Sequence, residues 1–585
     1  MIKEAIQHRP INNFAYSYDE NTLHIQLKTK KNDMKSVELI FGDPYFWLNN
    51  KWQSNSALMQ KSGSTKYHDY WFIEISPEFQ RLRYGFKCSD SKESCYFTEG
   101  GIFKVQPEDI SNYFCFPYLN NTDIFQAPSW VKDTVWYQIF PERFANGDKN
   151  LNPPNTLKWD SEKPSQNNFF GGDFQGIIDH LDYLTDLGIN GIYLTPIFEA
   201  YSNHKYDTID YMKIDPQFGD EETFRRLVQE CHKRNIKIML DAVFNHSGYY
   251  FAPFQDVLKK QQNSNYKDWF HIWNFPIEQN SEFNYATFGF EKSMPKLNTE
   301  NIEVKNYLLR VAKYWTEEFD IDGWRLDVAN EVDHAFWREF RQTVKKIKPD
   351  AYILGEIWHD AMPWLQGDQF DAVMNYPVTN GIIDFFAKQK IDAQQFINHI
   401  NQVIHMYPSN VNEVSFNLLD SHDTSRILTM AKHNKDRLKL AYLFQFSFIG
   451  APCIYYGDEI GMFGGEDPEC RACMIWDKHR YDEDLYSFIQ ILIKLRKTVS
   501  AFGGNGKFRF LDVGDKKDVI TYEKYTKKEK LVFILNNSED KQQIELSSMQ
   551  YKRAKGLLTN KEYNFSNQTM IELNAYDFKI LQLIE

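Results

Sequence analysis

The sequence predicts an α/β protein: a (β/α)8 barrel with a small inserted domain after strand 3, flanked by an N-terminal β-sandwich and a C-terminal β-sandwich domain. Three observations predict it. Between about 130 and 500, short apolar runs alternate with segments of helical periodicity, the pattern of a parallel sheet wrapped by crossover helices. On either side, apolar residues recur at every second position, the period of a half-buried strand. Polar residues able to do chemistry stand at the ends of the apolar runs, where barrel sites form.

With 585 residues the chain is too long for one core. In residues 1–125, Leu23, Ile25 and Leu27 alternate with polar residues, and 37–41, 70–75 and 82–86 are further strands. Gln126-Ala127-Pro128-Ser129 reads as a linker into residues 126–501. There the strands fall at 134–140, 189–197, 236–244, 321–329, 352–358, 370–376, 412–419 and 451–457. Phe224, Leu227, Val228 and Cys231 share one helix face, as do Val304, Leu308, Val311 and Trp315. Residues 247–300 are too many for an ordinary strand-to-helix loop, and rich in aromatics; they are expected to close one side of the site. Strands return in residues 502–585, at 519–522, 531–535 and 578–584.

A formal net charge of −13 with no basic stripe argues against nucleic acid and anionic membranes as partners. Residues 1–10 lack the apolar core of a signal peptide, and no run of about 18 apolar residues could span a bilayer. Seven sparse cysteines fit a cytoplasmic protein with free thiols; Cys470 and Cys473 have a metal-like spacing but no second pair.

The chemistry concentrates in Gly323-Trp324-Arg325-Leu326-Asp327-Val328-Ala329-Asn330-Glu331. Side chains alternate along a strand, so Arg325 and Asp327 point the same way, and the guanidinium is expected to hold the carboxylate ionised and oriented. Glu356, in Leu354-Gly355-Glu356-Ile357-Trp358, and Asp423, in Leu419-Asp420-Ser421-His422-Asp423-Thr424, are expected at two further strand ends. Three carboxylates so framed suggest glycoside chemistry.

These blocks, with Asp241-Ala242-Val243-Phe244-Asn245-His246, Gly191 to Pro196 and Gly457 to Gly461, resemble the α-amylase family of glycoside hydrolases (family 13). Met294-Pro295-Lys296-Leu297-Asn298 and the Val328 to Glu331 tail resemble its cyclomaltodextrinase, neopullulanase and maltogenic amylase subgroup. The resemblance implies a retaining hydrolase of α-1,4 bonds in cyclodextrins and maltooligosaccharides, with transglycosylation. Neopullulanase, maltogenic amylase or α-glucosidase specificity is the nearest alternative, and a non-catalytic carbohydrate-binding homologue the more distant one. It assigns Asp327 as nucleophile, Glu356 as general acid/base and Asp423 as the third carboxylate. It gives His204, Tyr206, His246 and His422, together with Arg325, to the sugar being cleaved, and Phe288, Asn330, Glu331 and Trp358 to the leaving-group side. It implies that residues 1–125 are a starch-binding-type module that makes a homodimer. It also implies a structural Ca²⁺ on Asn146, Asp148, Asn152, the Gly171 carbonyl and Asp173, and no organic cofactor. Oxygen-bearing side chains at that spacing suit calcium, although Leu151 and Asn152 stand where the family can carry oxygen or acid ligands, which lowers the expected affinity.

Overall fold

In the computed structural model the described residues are 1–278, 283–512, 514, 516–545, 553–565 and 570–584, so parts of the expected inserted segment and C-terminal domain lie outside them. The eight barrel strands are β1 (Trp136–Ile139), β2 (Gly191–Leu194), β3 (Lys237–Ala242), β4 (Gly323–Leu326), β5 (Tyr352–Gly355), β6 (Ala372–Val373), β7 (Phe416–Asn417) and β8 (Ala451–Tyr455). They pair in the order β6-β5-β4-β3-β2-β1-β8-β7, and a parallel bridge from Met374 to Phe416 brings the two ends together. Each strand of this sheet is covered on both faces, which is why the runs read as continuous apolar stretches rather than as alternating ones.

Around the strands run α1 (Glu221–Lys233), α2 (Ile302–Phe319) and α3 (His334–Ile347) among other helices. Their starts are set by Asp220, Asn301 and Asp333, whose side chains accept the first free backbone N–H groups. The apolar stripes expected on α1 and α2 are buried.

All eight predicted strand regions are strands, in the predicted order, but two are much shorter than expected. The run 370–376 keeps only β6, because Tyr376–Ile382 turns helical with Pro377 in its first turn. The run 412–419 keeps only β7, because Ser409–Asn412 forms a helical turn after Pro408. Asp423 consequently sits on a loop beyond β7 and not at a strand end, a correction to its expected placement.

Residues 1–120 hold two larger antiparallel sheets, one of Ala15–Ser17, Leu23–Lys30, His68–Ile75 and Gln60–Ser64, the other built on Ser36–Gly42, Leu82–Ser89 and Ser94–Thr98, and a small hairpin of Trp47–Leu48 and Lys51–Trp52. Leu23, Ile25, Leu27, Val37, Leu39, Tyr84 and Phe86 form the core between them. Tyr16 and Tyr18 donate to Ser409 and Glu413 of the barrel, and Tyr70 stacks on His405. The C-terminal sheets include Val519–Tyr525, Lys530–Asn536 and Phe578–Ile584, around Val532, Ile534, Ile571 and Leu581.

The insertion after β3 begins with the helix Ala252–Lys260 and returns through isolated bridges that join His246 to Lys296 and Phe270 to Leu297. Phe251, Phe254, Trp269, Phe270 and Tyr285 anchor it in the same core as the barrel. No helix among the described residues is long and apolar enough to cross a membrane.

Candidate active site

Asp327 is the first residue past β4, and Arg325 is two residues earlier on the same side of that strand. Arg325 Nη1 donates to Asp327 Oδ1 at 2.8 Å. The other oxygen, Asp327 Oδ2, is buried and has no hydrogen-bond partner. Directly after it the chain takes a left-handed turn at Val328, with φ +44°. A β-branched residue adopts that conformation only when its surroundings enforce it. The turn aims the Val328 N–H at Glu356 Oε2, 3.0 Å away, so the peptide following one carboxylate holds the other. Glu356, just past β5, also accepts from Arg325 Nη2 at 2.7 Å, and its Oε1 accepts from the Trp358 indole at 3.2 Å.

The sequence led us to expect Arg325 to serve Asp327. It serves three carboxylates. Nη1 also donates to both oxygens of Asp241, at 3.1 and 3.0 Å, and Asp241 Oδ2 accepts from the hydroxyls of Tyr193 and Tyr206. One buried cation facing three acids leaves the group under-compensated, since full ionisation would strand two negative charges among buried side chains. Burial pushes Asp241 up to about 6, against the pull of Arg325 and the tyrosine hydroxyls. Burial also pushes Asp327 well above the usual carboxylate range; Arg325 pulls it down, and Glu356, Asp241 and Asp423 push it up again.

The histidines are neutral. Burial lowers His204 and His246 to about 3 and takes His422 well below its ordinary value. Gln138, on β1, donates its amide to His422 Nδ1 at 2.7 Å, which leaves the proton on Nε2. That nitrogen lies 2.8 Å from the Tyr206 hydroxyl and 3.2 Å from Asp423 Oδ1, and the Tyr206 hydroxyl passes its own proton toward Asp241. Tyr206 and His422 are stacked, with centroids 5.3 Å apart and planes 5° from parallel. His246 stacks on Phe288 at 5.1 Å, and its buried Nε2 has no partner.

A single cleft of about 1020 Å³ is lined by Asp327, Glu356 and Asp423 together with His204, Tyr206, His246, Phe288, Asn330, Glu331 and Trp358. Arg325 and His422 lie beneath that surface, bonded to residues that form it. The insertion supplies one wall through Tyr249, Tyr250, Tyr285, Phe288 and Met294. Lys296 ties that wall to the loop after β4 by donating to the Asn245 side chain and to the Glu331 carbonyl.

The domain models match in order along the chain: "Alpha amylase, N-terminal ig-like domain" over residues 1–120, "Alpha amylase, catalytic domain" over 138–499, and "Maltogenic Amylase, C-terminal domain" over 508–580. The chain belongs to the α-amylase family. It is a glycoside hydrolase by that membership. It is 54% identical to the maltogenic alpha-amylase of Bacillus acidopullulyticus over the full length of both chains. It is 50% identical to the intracellular maltogenic amylase of Bacillus subtilis (strain 168), across 94% of each. A solved cyclomaltodextrinase structure superposes with a TM-score of 0.95 at 47% identity, covering 100% of both chains.

Within this α-amylase family site, sequence reasoning missed several residues. Arg471 stands between the two cysteines noted for their spacing. It donates to the His422 carbonyl and pairs with Asp467 at 3.0 Å and, at 3.5 Å, with Asp423. Tyr376 lies flat under Trp358, with centroids 3.6 Å apart. Neither carries a local signal, because each reaches the site across a large sequence separation.

The calcium candidates sit apart from the acids. Asn146 donates to Asn152 Oδ1 and to the Phe170 carbonyl, while its own Oδ1 is buried without a partner. Gly171 has φ +82°, and a Cβ there would lie 2.3 Å from both the Asn146 and Asn152 amides, so only glycine leaves that cradle open. Asp173 accepts from the Gly147 and Asp148 backbone N–H groups, and Asp148 Oδ1 is turned to Asn150. Among the described residues no three His, Cys, Asp or Glu side chains converge as metal ligands; this set is mainly amides and a carbonyl.

Protonation of Asp241 as pH falls through about 6 loosens its hold on Arg325 and adds a proton to the acid group, so kcat/KM on β-cyclodextrin should decline below that pH. Asp241→Asn should lower the plateau on the order of 10²-fold by misplacing Arg325. With one negative charge gone, it should also shift the acid limb to lower pH. An acid limb that stays in place in this variant would show that Asp241 does not govern it.

Proposed function

We propose that the protein is a retaining α-glucan hydrolase of the cyclomaltodextrinase type, cleaving α-1,4-glucosidic bonds in cyclodextrins and maltooligosaccharides. The observation that carries this reading is the Arg325 fork. It grips one oxygen of Asp327 and one of Glu356 on its two terminal nitrogens and leaves Asp327 Oδ2 without a partner. Two carboxyls shared by one guanidinium favour the roughly 5–5.5 Å spacing of retaining enzymes over the wider spacing that admits a water between them.

In the first step Asp327 Oδ2 attacks the anomeric carbon, the glycosidic C–O bond breaks, and the Glu356 proton goes to the departing oxygen. In the second step Glu356 takes a proton from water, the hydroxide adds to the anomeric carbon, and Asp327 is released. A sugar hydroxyl in place of water gives transglycosylation. Asp423, braced by Arg471, grips hydroxyls of the reacting ring, and the Nε2–H groups of the neutral histidines donate to others. Phe288, Trp358, Asn330 and Glu331 receive the leaving portion. The names of the close relatives, maltogenic amylase and cyclomaltodextrinase, support this substrate class.

The cradle at Asn146, Asp148, Asn152, Gly171 and Asp173 suits a structural Ca²⁺, because it presents a buried unpartnered oxygen beside a carboxylate. We also assign residues 1–125 to glucan binding and a homodimer. The run Tyr45-Phe46-Trp47-Leu48 exposes four consecutive large apolar side chains on that domain, more than an isolated surface needs. Seven free thiols and a relative named intracellular support a cytoplasmic location.

Products released from β-cyclodextrin should appear first as α-anomers by NMR, and Asp327→Asn should reduce turnover by about 10³-fold or more; inverted products would end the retaining assignment. Added Ca²⁺ should raise the Tm of chelator-treated protein by a few degrees, a shift absent in Asn146→Ala. Equal Tm values with calcium and with chelator would remove the metal. Sedimentation should give a dimer that Trp47→Asp converts to monomer, and a monomeric wild type would remove the dimer.

A further inference from the structure

Two tyrosines in the cleft wall have no place in the cleavage chemistry. Tyr201 is 70% exposed and Tyr250 is 50% exposed, yet both line the cleft that holds the acids. Their rings lie side by side, with centroids 5.5 Å apart and planes at 45°. Leaving two such faces bare costs apolar exposure that folding would otherwise remove.

The backbone brings them together by a close approach. The Gly248 N–H donates to the Thr208 carbonyl at 2.7 Å, and a Cβ on Gly248 would stand 2.1 Å from the Asp207 carbonyl oxygen. Only glycine lets the chain after His246 lie against the turn that carries His204 and Tyr206. Tyr201 enters that turn, which is closed by Ser202 donating to Asp207. Tyr250 leaves the other segment, braced edge-on by Tyr249, which packs in turn on Phe254. The pair therefore stands on rigid supports rather than on a loose loop. Gln166 and Asn167 line the same cleft and bring amide donors and acceptors to it.

We propose that Tyr201 and Tyr250 form an aromatic platform for a glucose unit distal to the bond being cut, and that they set the preference for longer and cyclic glucans. The proposal rests on the hydrolase reading above. A flat, uncharged ring with apolar C–H faces and a rim of hydroxyls matches two aromatic faces flanked by amides. The cleft, at about 1020 Å³, is at the top of the roughly 300–1,000 Å³ range of ordinary small-molecule pockets, and so has room for several such units.

The test compares maltoheptaose with maltotriose in the Tyr201→Ala/Tyr250→Ala variant and in the matching double Phe variant. The Ala variant should raise KM for maltoheptaose about five- to tenfold, the loss of a modest stacking energy. Its kcat, and its kcat/KM on maltotriose, should be unchanged. The Phe variant should behave as wild type, because the ring faces remain. Equal losses on both substrates, no loss on either, or loss of an oligomer without a change in the maltoheptaose-to-maltotriose ratio would overturn the platform; the last would make the pair a protein contact. A wild type active on both sugars beside an unaffected Ala variant removes the platform alone, whereas a wild type active on neither removes the hydrolase reading with it.

Discussion

The active site depends on a shortage of positive charge. Arg325 is fully buried, and Asp241, Asp327 and Glu356 all lean on it. A second cation would relieve most of the competition among the three acids. With one, the three carboxylates compete for the cation, and burial raises the proton affinity of Asp241 and Asp327. The surroundings defend the shortage. Tyr193 and Tyr206 give Asp241 neutral donors in place of charge, and the histidines are held neutral by burial. A further cation, Arg471, is drawn to Asp467 and Asp423.

Much of this was legible in the sequence because the residues concerned are close along the chain or lie at strand ends. Arg325 lies on β4 and Asp327 two residues on, just past its end, and the parallel register places Arg325 beside Asp241. The barrel itself follows from apolar runs whose two faces are both covered. What escaped notice was what depends on distance or on conformation. Val328 gives no sign in its residue type of a left-handed turn, since a β-branched residue there runs against local preference. Tyr376 reaches the site from the start of a helix and Arg471 from a short helical turn, each outside the motif it touches. The two short strands read as longer because apolar residues continue beyond β6 into the helix that starts at Tyr376, and stand ahead of β7 at Val414, just after the helical turn Ser409–Asn412.

The insertion after β3 is more than a lid. Its aromatic residues are rooted in the barrel core, so the wall it gives the cleft moves with the barrel. Lys296 fastens it to the loop beyond Asp327, and His246 and Phe288 join the two across a stacked contact. Binding surface and reacting groups are built as one body, which suits a site whose carboxylates must keep their spacing.

The barrel closes unevenly. β3 and β4, and β4 and β5, each align four residue pairs, whereas β6 and β7 meet through the lone Met374–Phe416 bridge. Amide hydrogen exchange would accordingly begin along this seam, where few ladder bonds resist local opening. Asp327 and Glu356 stand on the firmly zipped arc and Asp423 follows the seam, so breathing of the cylinder would widen the gap between the third acid and the other two. Asp327 and Glu356 thus follow strands with full four-pair ladders, and Asp423 follows the strand at the sparsely paired seam.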